Sequence, residues 1–149
     1  LGKDKVIFGP VLQDDIFAAA TGPAALGVNS GVRYHYSVDN PTNNAFVAAY
    51  REQHGEMPSS FAGEAYDGLR WWLDVVEQTG SWDVEAWVEA FANSVHETSV
   101  EGRKEMRACD HQAAQVGLWG EVVKGEAPLP ELTMKINEIF PADRLFDAC

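Results

Sequence analysis

The chain has 149 residues, 46% of them hydrophobic, with five Trp and seven Phe. That is enough apolar material for one buried core and too much for a disordered segment. A formal net charge of −12, from 23 acidic against 11 scattered basic residues, argues against nucleic acid and anionic membrane surfaces as partners, since both need basic patches.

In chain order, 5–9 reads as a short buried strand closed by Gly9-Pro10. No signal-peptide pattern precedes it, and no apolar run approaches the roughly 20 residues of a membrane helix. A polar loop with Asp14 and Asp15 then starts a short helix over 16–20. Residues 31–38 alternate, with Val32, Tyr34, Tyr36 and Val38 on one side and Arg33, His35 and Ser37 on the other, as in a half-buried strand. Thr42 or Asn43 is expected to cap a helix ending near Gly55, with Phe46, Ala49 and Tyr50 on one face. The segment 59–80 carries the strongest helical pattern. Ser59 and Ser60 stand at its start and Gly80 at its end. Ala62, Ala65, Tyr66, Leu69, Trp72, Leu73 and Val76 recur at three- and four-residue steps, so that face is expected to be buried. Ser81 or Asp83 caps a third helix with Val84, Trp87, Val88 and Phe91 along one side. Extended segments follow at 105–109 and 116–123, and a last strand at 132–137 precedes Pro141. The resulting order, strand–helix–strand, three helices, three strands, is awkward for a single closed domain.

Catalytic and metal motifs are missing. His35, His54, His96 and His111 show no HxH or HxxxH spacing, and Asp110-His111, on an expected strand, point to opposite faces. There is no GxSxG, no GxGxxG and no GxxxxGK, so neither an activated nucleophile nor a phosphate loop is expected. A small hydrolase using Asp14, Asp15 or His111 is the enzyme alternative, but adjacent acids at a helix start are usually caps. No catalytic residue, metal or cofactor is assigned. What remains is a binding reading: aromatic residues at the start of the 59–80 helix and a polar loop at 11–15 are ordinary parts of a small-molecule cleft. Cys109 and Cys149 permit a disulfide without demanding one. The alternative is one buried and one terminal thiol.

The run beginning at Asn43, N-x-x-F-V-A-A-Y-R-E-x-H-G-E-x-P, carries Phe46, Tyr50, Gly55 and Pro58. It is followed by Ala65-Tyr66-Asp67, Gly80, Gly102 and Asp110-His111-Gln112. In this order and spacing they resemble the C-terminal part of type I periplasmic solute-binding proteins, the branched-chain amino acid and amide receptor family of ABC importers. The resemblance implies an α/β fold of two lobes, parallel sheets flanked by helices, of which this chain is an incomplete share. Residues 1–40 would end the C-terminal lobe, 41–96 would be the helical part of the N-terminal lobe, and 97–149 the return crossing and C-terminal-lobe strands. It implies an extracytoplasmic, non-enzymatic receptor that traps a solute between lobes and hands it to a membrane permease. A signalling receptor with the same fold is the alternative. The implied partners are therefore a small-molecule solute, an ABC permease and the remaining part of the receptor chain.

By the same resemblance the ligand walls are Val11, Leu12, Gln13 and Asp14 on one side and Phe61, Ala62, Gly63 and Tyr66 on the other. Amino-acid-binding members place an acid just after the position of Gly9-Pro10, where this chain has Val11 and Leu12. That departure turns the expectation toward amides, organic acids or aromatic acids. An oxidising periplasm favours a Cys109–Cys149 disulfide, closing a loop of about 40 residues for roughly 3–4 kcal/mol in the chain-entropy model.

Overall fold

The computed structural model describes Gly9, residues 15–92 and residues 94–149. The strand expected at 5–9, apart from Gly9, and the site residues Val11, Leu12, Gln13 and Asp14 lie outside the described residues. The chain forms two packed regions. The first holds α1 (Asp15–Thr21), a 3-10 turn (Gly22–Ala25) and a sheet of β1 (Asn29–Val32), β5 (Gly117–Lys124) and β6 (Leu132–Phe140) in the order β1-β5-β6. Ala18, Ala25, Val28, Val122 and Leu132 form its core. Strand pairs among the described residues are antiparallel, so the parallel pairing expected from the resemblance is not among them. Gly9 donates to the Asn29 carbonyl beside β1 at 3.1 Å.

The second region holds α2 (Pro41–His54), α3 (Ser60–Thr79), α4 (Val84–Phe91) and a small sheet of β2 (Val95–His96), β3 (Lys104–Met106) and β4 (Ala113–Ala114). The helix ends follow local chemistry. Ser59 accepts from the Ala62 N–H and Gly80 closes α3 at φ 59; Asp83 caps α4 through Glu85 and Ala86. The cap of α2 is Asn40, not Thr42 or Asn43, because Pro41 occupies the first helical position and Asn40 accepts from the Asn43 N–H at 2.8 Å.

Three expectations change. The strand expected over 31–38 stops at Val32. Beyond it Tyr34, His35 and Tyr36 are all buried in succession, which an alternating strand does not allow. Asn43 is the reason: its amide takes the carbonyls of Tyr36 (3.1 Å) and Val38 (2.6 Å), and its oxygen accepts from the Tyr34 hydroxyl at 2.9 Å. A side chain thus satisfies backbone groups that a neighbouring strand would otherwise take. Asp110 and His111 sit in a turn rather than on a strand, with the His111 N–H donating to Arg107 and φ at 55. The buried face of α3 is also different. Ser60, Gly63, Asp67, Trp71, Val75 and Val76 turn inward, whereas Leu69 and Leu73 are 57% and 47% exposed.

The inward stripe of α3 is decided by Asp67. Its carboxylate accepts from the Ser99 hydroxyl and the Val100 N–H, both at 2.9 Å, and pairs with Lys104 Nζ at 2.6 Å. Lys104 also meets Glu101 at 2.5 Å, and His96 Nε2 lies 3.3 Å from Asp67. Desolvation raises the Glu101 carboxyl above its usual range, with Lys104 opposing that effect. This cluster holds residues 99–104 against α3, and Trp71 stacks on His96 at 5.6 Å. Residues 97–114 therefore pack with the helices, and the chain reaches the larger sheet at β5.

Candidate ligand cleft

The two regions meet at residues 33–40, at the step from β4 to β5, and at the C-terminal segment after Phe140. Tyr34 makes the first junction tight. Its ring lies flat on α3 at Gly63, where a Cβ would sit 2.4 Å from Cδ1; only a residue without a side chain permits that approach. Burial, helped by Glu101 and Tyr36, pushes the Tyr34 hydroxyl far above its ordinary range, which keeps it a neutral donor to Asn43. Tyr36 reaches the other way, its hydroxyl hydrogen-bonded to that of Thr133 on β6. The third junction is covalent: Cys109, in the turn after β3, is bonded to Cys149, nine residues beyond β6. The expected disulfide is present.

Beside these junctions opens a cleft of about 820 Å³, within the usual size of a small-molecule site. Phe61, on the first turn of α3 and 50% exposed, stands on one wall, and Trp119 and Phe140 line it from the sheet. Arg33, just past β1, crosses to Glu64 on α3, with Nη2–Oε2 at 2.7 Å and Nε–Oε1 at 3.3 Å. Arg144, in the 3-10 turn after β6, also lines the cleft and lies 5.5 Å from the Phe140 ring. The arrangement offers apolar and aromatic area with a few fixed charges. Among the described residues no group of three His, Cys, Asp or Glu is placed to hold a metal ion, and no helix is long and apolar enough to cross a membrane.

Of the site residues expected from the sequence, Phe61 lines this cleft. Gly63 lies under Tyr34. Tyr66 packs against the buried cluster of Tyr34, Tyr36, Phe46 and Val100 in the helical region, stacked on Phe46 at 4.4 Å with Arg70 donating to its hydroxyl. Ala62 is part-buried and gives its N–H to the Ser59 cap. Sequence reasoning passed over Arg33, Glu64, Trp119, Phe140 and Arg144. Arg33 and Glu64 are 31 residues apart, beyond any local spacing rule, and the other three come together only when the sheet forms.

The profile of the periplasmic binding protein family matches residues 1–127. The chain belongs to that family. Its fold recurs in solved solute-binding proteins of ABC transporters. One, from Rhodopseudomonas palustris BisB5 in complex with 3,4-dihydroxybenzoic acid, is 27% identical over 92% of this chain and 37% of its own, with a TM-score of 0.78. Another, from R. palustris in complex with benzoate, is 25% identical over 90% of this chain and 35% of its own, with a TM-score of 0.73. A leucine-, isoleucine-, valine-, threonine- and alanine-binding protein from Brucella ovis, in a closed conformation, shares the fold at 20% identity and a TM-score of 0.81, covering 99% of this chain and 39% of its own. Curated protein sequences give no match. The chain thus spans little more than a third of the length of the family structures it matches, so its α/β fold is a partial one.

Proposed function

We propose that this chain is the C-terminal share of an extracytoplasmic, non-enzymatic receptor that captures a small solute between two lobes and delivers it to an ABC permease. The carrying observation is the position of the cleft: it opens where the two packed regions meet, with Phe61 half exposed on a helix of one and Trp119 and Phe140 on the sheet of the other. In this reading the β1-β5-β6 sheet belongs to one lobe and α2–α4 with the small sheet to the other. Residues 33–40 and the β4–β5 step are crossings about which the lobes close.

The solute class is a small amino acid, amide or aromatic organic acid. Support for the aromatic end comes from the aromatic walls and from two relatives, 27% and 25% identical, solved with 3,4-dihydroxybenzoic acid and benzoate. The remaining receptor chain has a place on the outer face of the helices. Leu69 and Leu73 on α3 and Val84 and Val88 on α4 are exposed, as is Trp82 at 74%. A chain of a little over a third of its relatives' length would leave such a face uncovered.

The test is a thermal-shift screen of the full-length protein against amino acids, amides and aromatic acids. A true ligand at 100 times its Kd should stabilise the fold by about 2.7 kcal/mol. If every class leaves the melting temperature unmoved, the receptor reading fails.

A further inference from the structure

Residues 141–149 run from the end of β6, in the sheet region, to the turn at Cys109, in the helical region. Among the described residues their main-chain hydrogen bonds are internal: Arg144 donates to Pro141, and Leu145 and Phe146 both donate to Ala142. What holds the segment to the body is therefore side-chain contact and one covalent bond. Leu145 lies on Gly117 at the start of β5, where a Cβ would sit 2.8 Å from Leu145 Cδ1. Phe146 lies by Arg107, whose Cζ is 5.3 Å from the ring centroid. The bond joins Cys109 to Cys149, and both residues are exposed. Its two ends differ. The turn at 107–112 is closed by its own contacts, with the Arg107 N–H donating to Gln112 (2.9 Å), the His111 N–H to Arg107 (2.8 Å) and the Gln112 N–H to the Asp110 carboxylate (3.1 Å). That turn keeps its shape without the bond, whereas past Phe146 the segment has no described backbone hydrogen bond.

We propose that residues 141–149 form a redox-gated strap, seated across the junction while the disulfide is intact and released when a dithiol reduces it. The first thiolate of the dithiol attacks Cys149 Sγ, the Sγ–Sγ bond breaks, and Cys109 departs as the thiolate with the bonding electron pair. Arg107 supports that departure: its Nη2 donates to Cys109 Sγ at 3.6 Å, while it shares its charge with Asp110 at 3.0 Å. The second thiolate of the dithiol then displaces Cys149 from the mixed disulfide. The two protons given up by the dithiol pass through water to the cysteines, and the dithiol leaves as a disulfide, two electrons poorer. Once free, the strap has little to keep it down. Leu145 is 48% exposed, and a half-buried side chain offsets little of the backbone entropy of holding the segment in one path. Arg144 and Leu145 line the cleft, so its wall changes when the strap lifts. That consequence for solute capture rests on the receptor reading above; the release itself does not.

Trypsin reads the strap directly, because the Arg144–Leu145 peptide bond lies within it and must be freed locally to be cut. Full-length protein is compared in its oxidised form, after dithiothreitol, and as the Cys109→Ser/Cys149→Ser variant, with folding checked by circular dichroism. Reduction and the double substitution should each speed cleavage after Arg144 by about tenfold or more, while the bond after Arg70, inside α3, stays uncut. Reoxidation should return the rate to that of the oxidised protein. The variant ties the effect to this disulfide rather than to another in the full-length chain. Reduction of the folded protein supplies the same comparison if the variant does not fold. Equal rates after Arg144 in the three forms overturn the strap. So does cleavage after Arg144 that rises only in step with cleavage after Arg70, which marks the bond as a staple of the whole fold. Neither outcome bears on the receptor reading, which stands or falls by the thermal-shift screen.

Discussion

The two packed regions are held together by opposite means. Around the larger sheet, small and branched apolar residues (Ala18, Ala25, Val28, Val122, Leu132) close a dry core. In the helical region, α3 buries a charged side chain while leaving apolar ones outside: Asp67 is fully buried and Leu69, two residues on, is not. A β-sheet face finds its partner wherever apolar area is offered. A helix with several apolar stripes turns toward whichever neighbour supplies what its most demanding residue needs, and a buried carboxylate without partners costs more than an exposed leucine.

The largest expected effect falls on the polar side of this comparison. Asp67→Ala would leave Lys104 with Glu101 alone and strip acceptors from Ser99 and the Val100 N–H. We expect a loss of about 3–5 kcal/mol in chemical denaturation; a loss under about 1 kcal/mol would show that the cluster is incidental to the orientation of α3. Replacing Cys109 and Cys149 together by Ser frees a sequence separation of 40 and should cost roughly 3–4 kcal/mol, measurable as a drop in urea midpoint that reductant reproduces in the native chain.

Gly63→Ala pushes a methyl group into the Tyr34 ring. Overpacking of about 1–3 kcal/mol, partly offset by better helix propensity, is the expected net cost. Because Arg33 adjoins Tyr34, ligand affinity should fall with it. Affinity unchanged alongside lost stability would separate this junction from the cleft.

Glu101 tests the charged cluster from the acid side. Burial raises its carboxyl above the ordinary 4.5, so the folded chain holds that proton more firmly than the unfolded one. Its contribution is therefore most favourable below pH 4.5 and declines as pH rises through the folded value. Glu101→Gln should stabilise at neutral pH, with the gain vanishing toward pH 4; a gain that grew on acidification would contradict the sign. The smallest effect is expected at Leu69. Leu69→Ser should change the stability of this chain by less than about 0.5 kcal/mol, and a larger loss in the full-length protein would show that the rest of the receptor covers that face.

Much of the element pattern was legible from local chemistry. Ser59 and Gly80 mark the ends of α3, Gly55 the end of α2 and Asp83 the start of α4, because cap residues act within a few positions of the groups they satisfy. The hydrophobic alternation of 132–137 located β6, although Leu132, Thr133 and Met134 are buried in succession. Failures came where a distant residue set the outcome. Asn43 ended the strand after Val32 by taking the carbonyls of the following segment, and β2 and β4, two residues each, carry no period to read. Phe61, expected from family resemblance together with its place at a helix start, lines the cleft. Arg33, Glu64 and Arg144 were not expected, since no spacing rule joins a strand end, a helix turn and a segment near the C-terminus.

By itself, then, the sequence determined the ends of α3, the C-terminal end of α2 and the start of α4, the place of β6, the acidic and motif-poor character, and the family. Tertiary structure alone decided which stripe of α3 faces inward, where the chain leaves one region for the other, and which charged groups share the cleft. The physical reason is range. Caps and periodicity act over a few residues along the chain, whereas burial of Asp67, the Tyr34–Gly63 contact and the Arg33–Glu64 pair depend on groups that only the folded chain brings within a few ångströms.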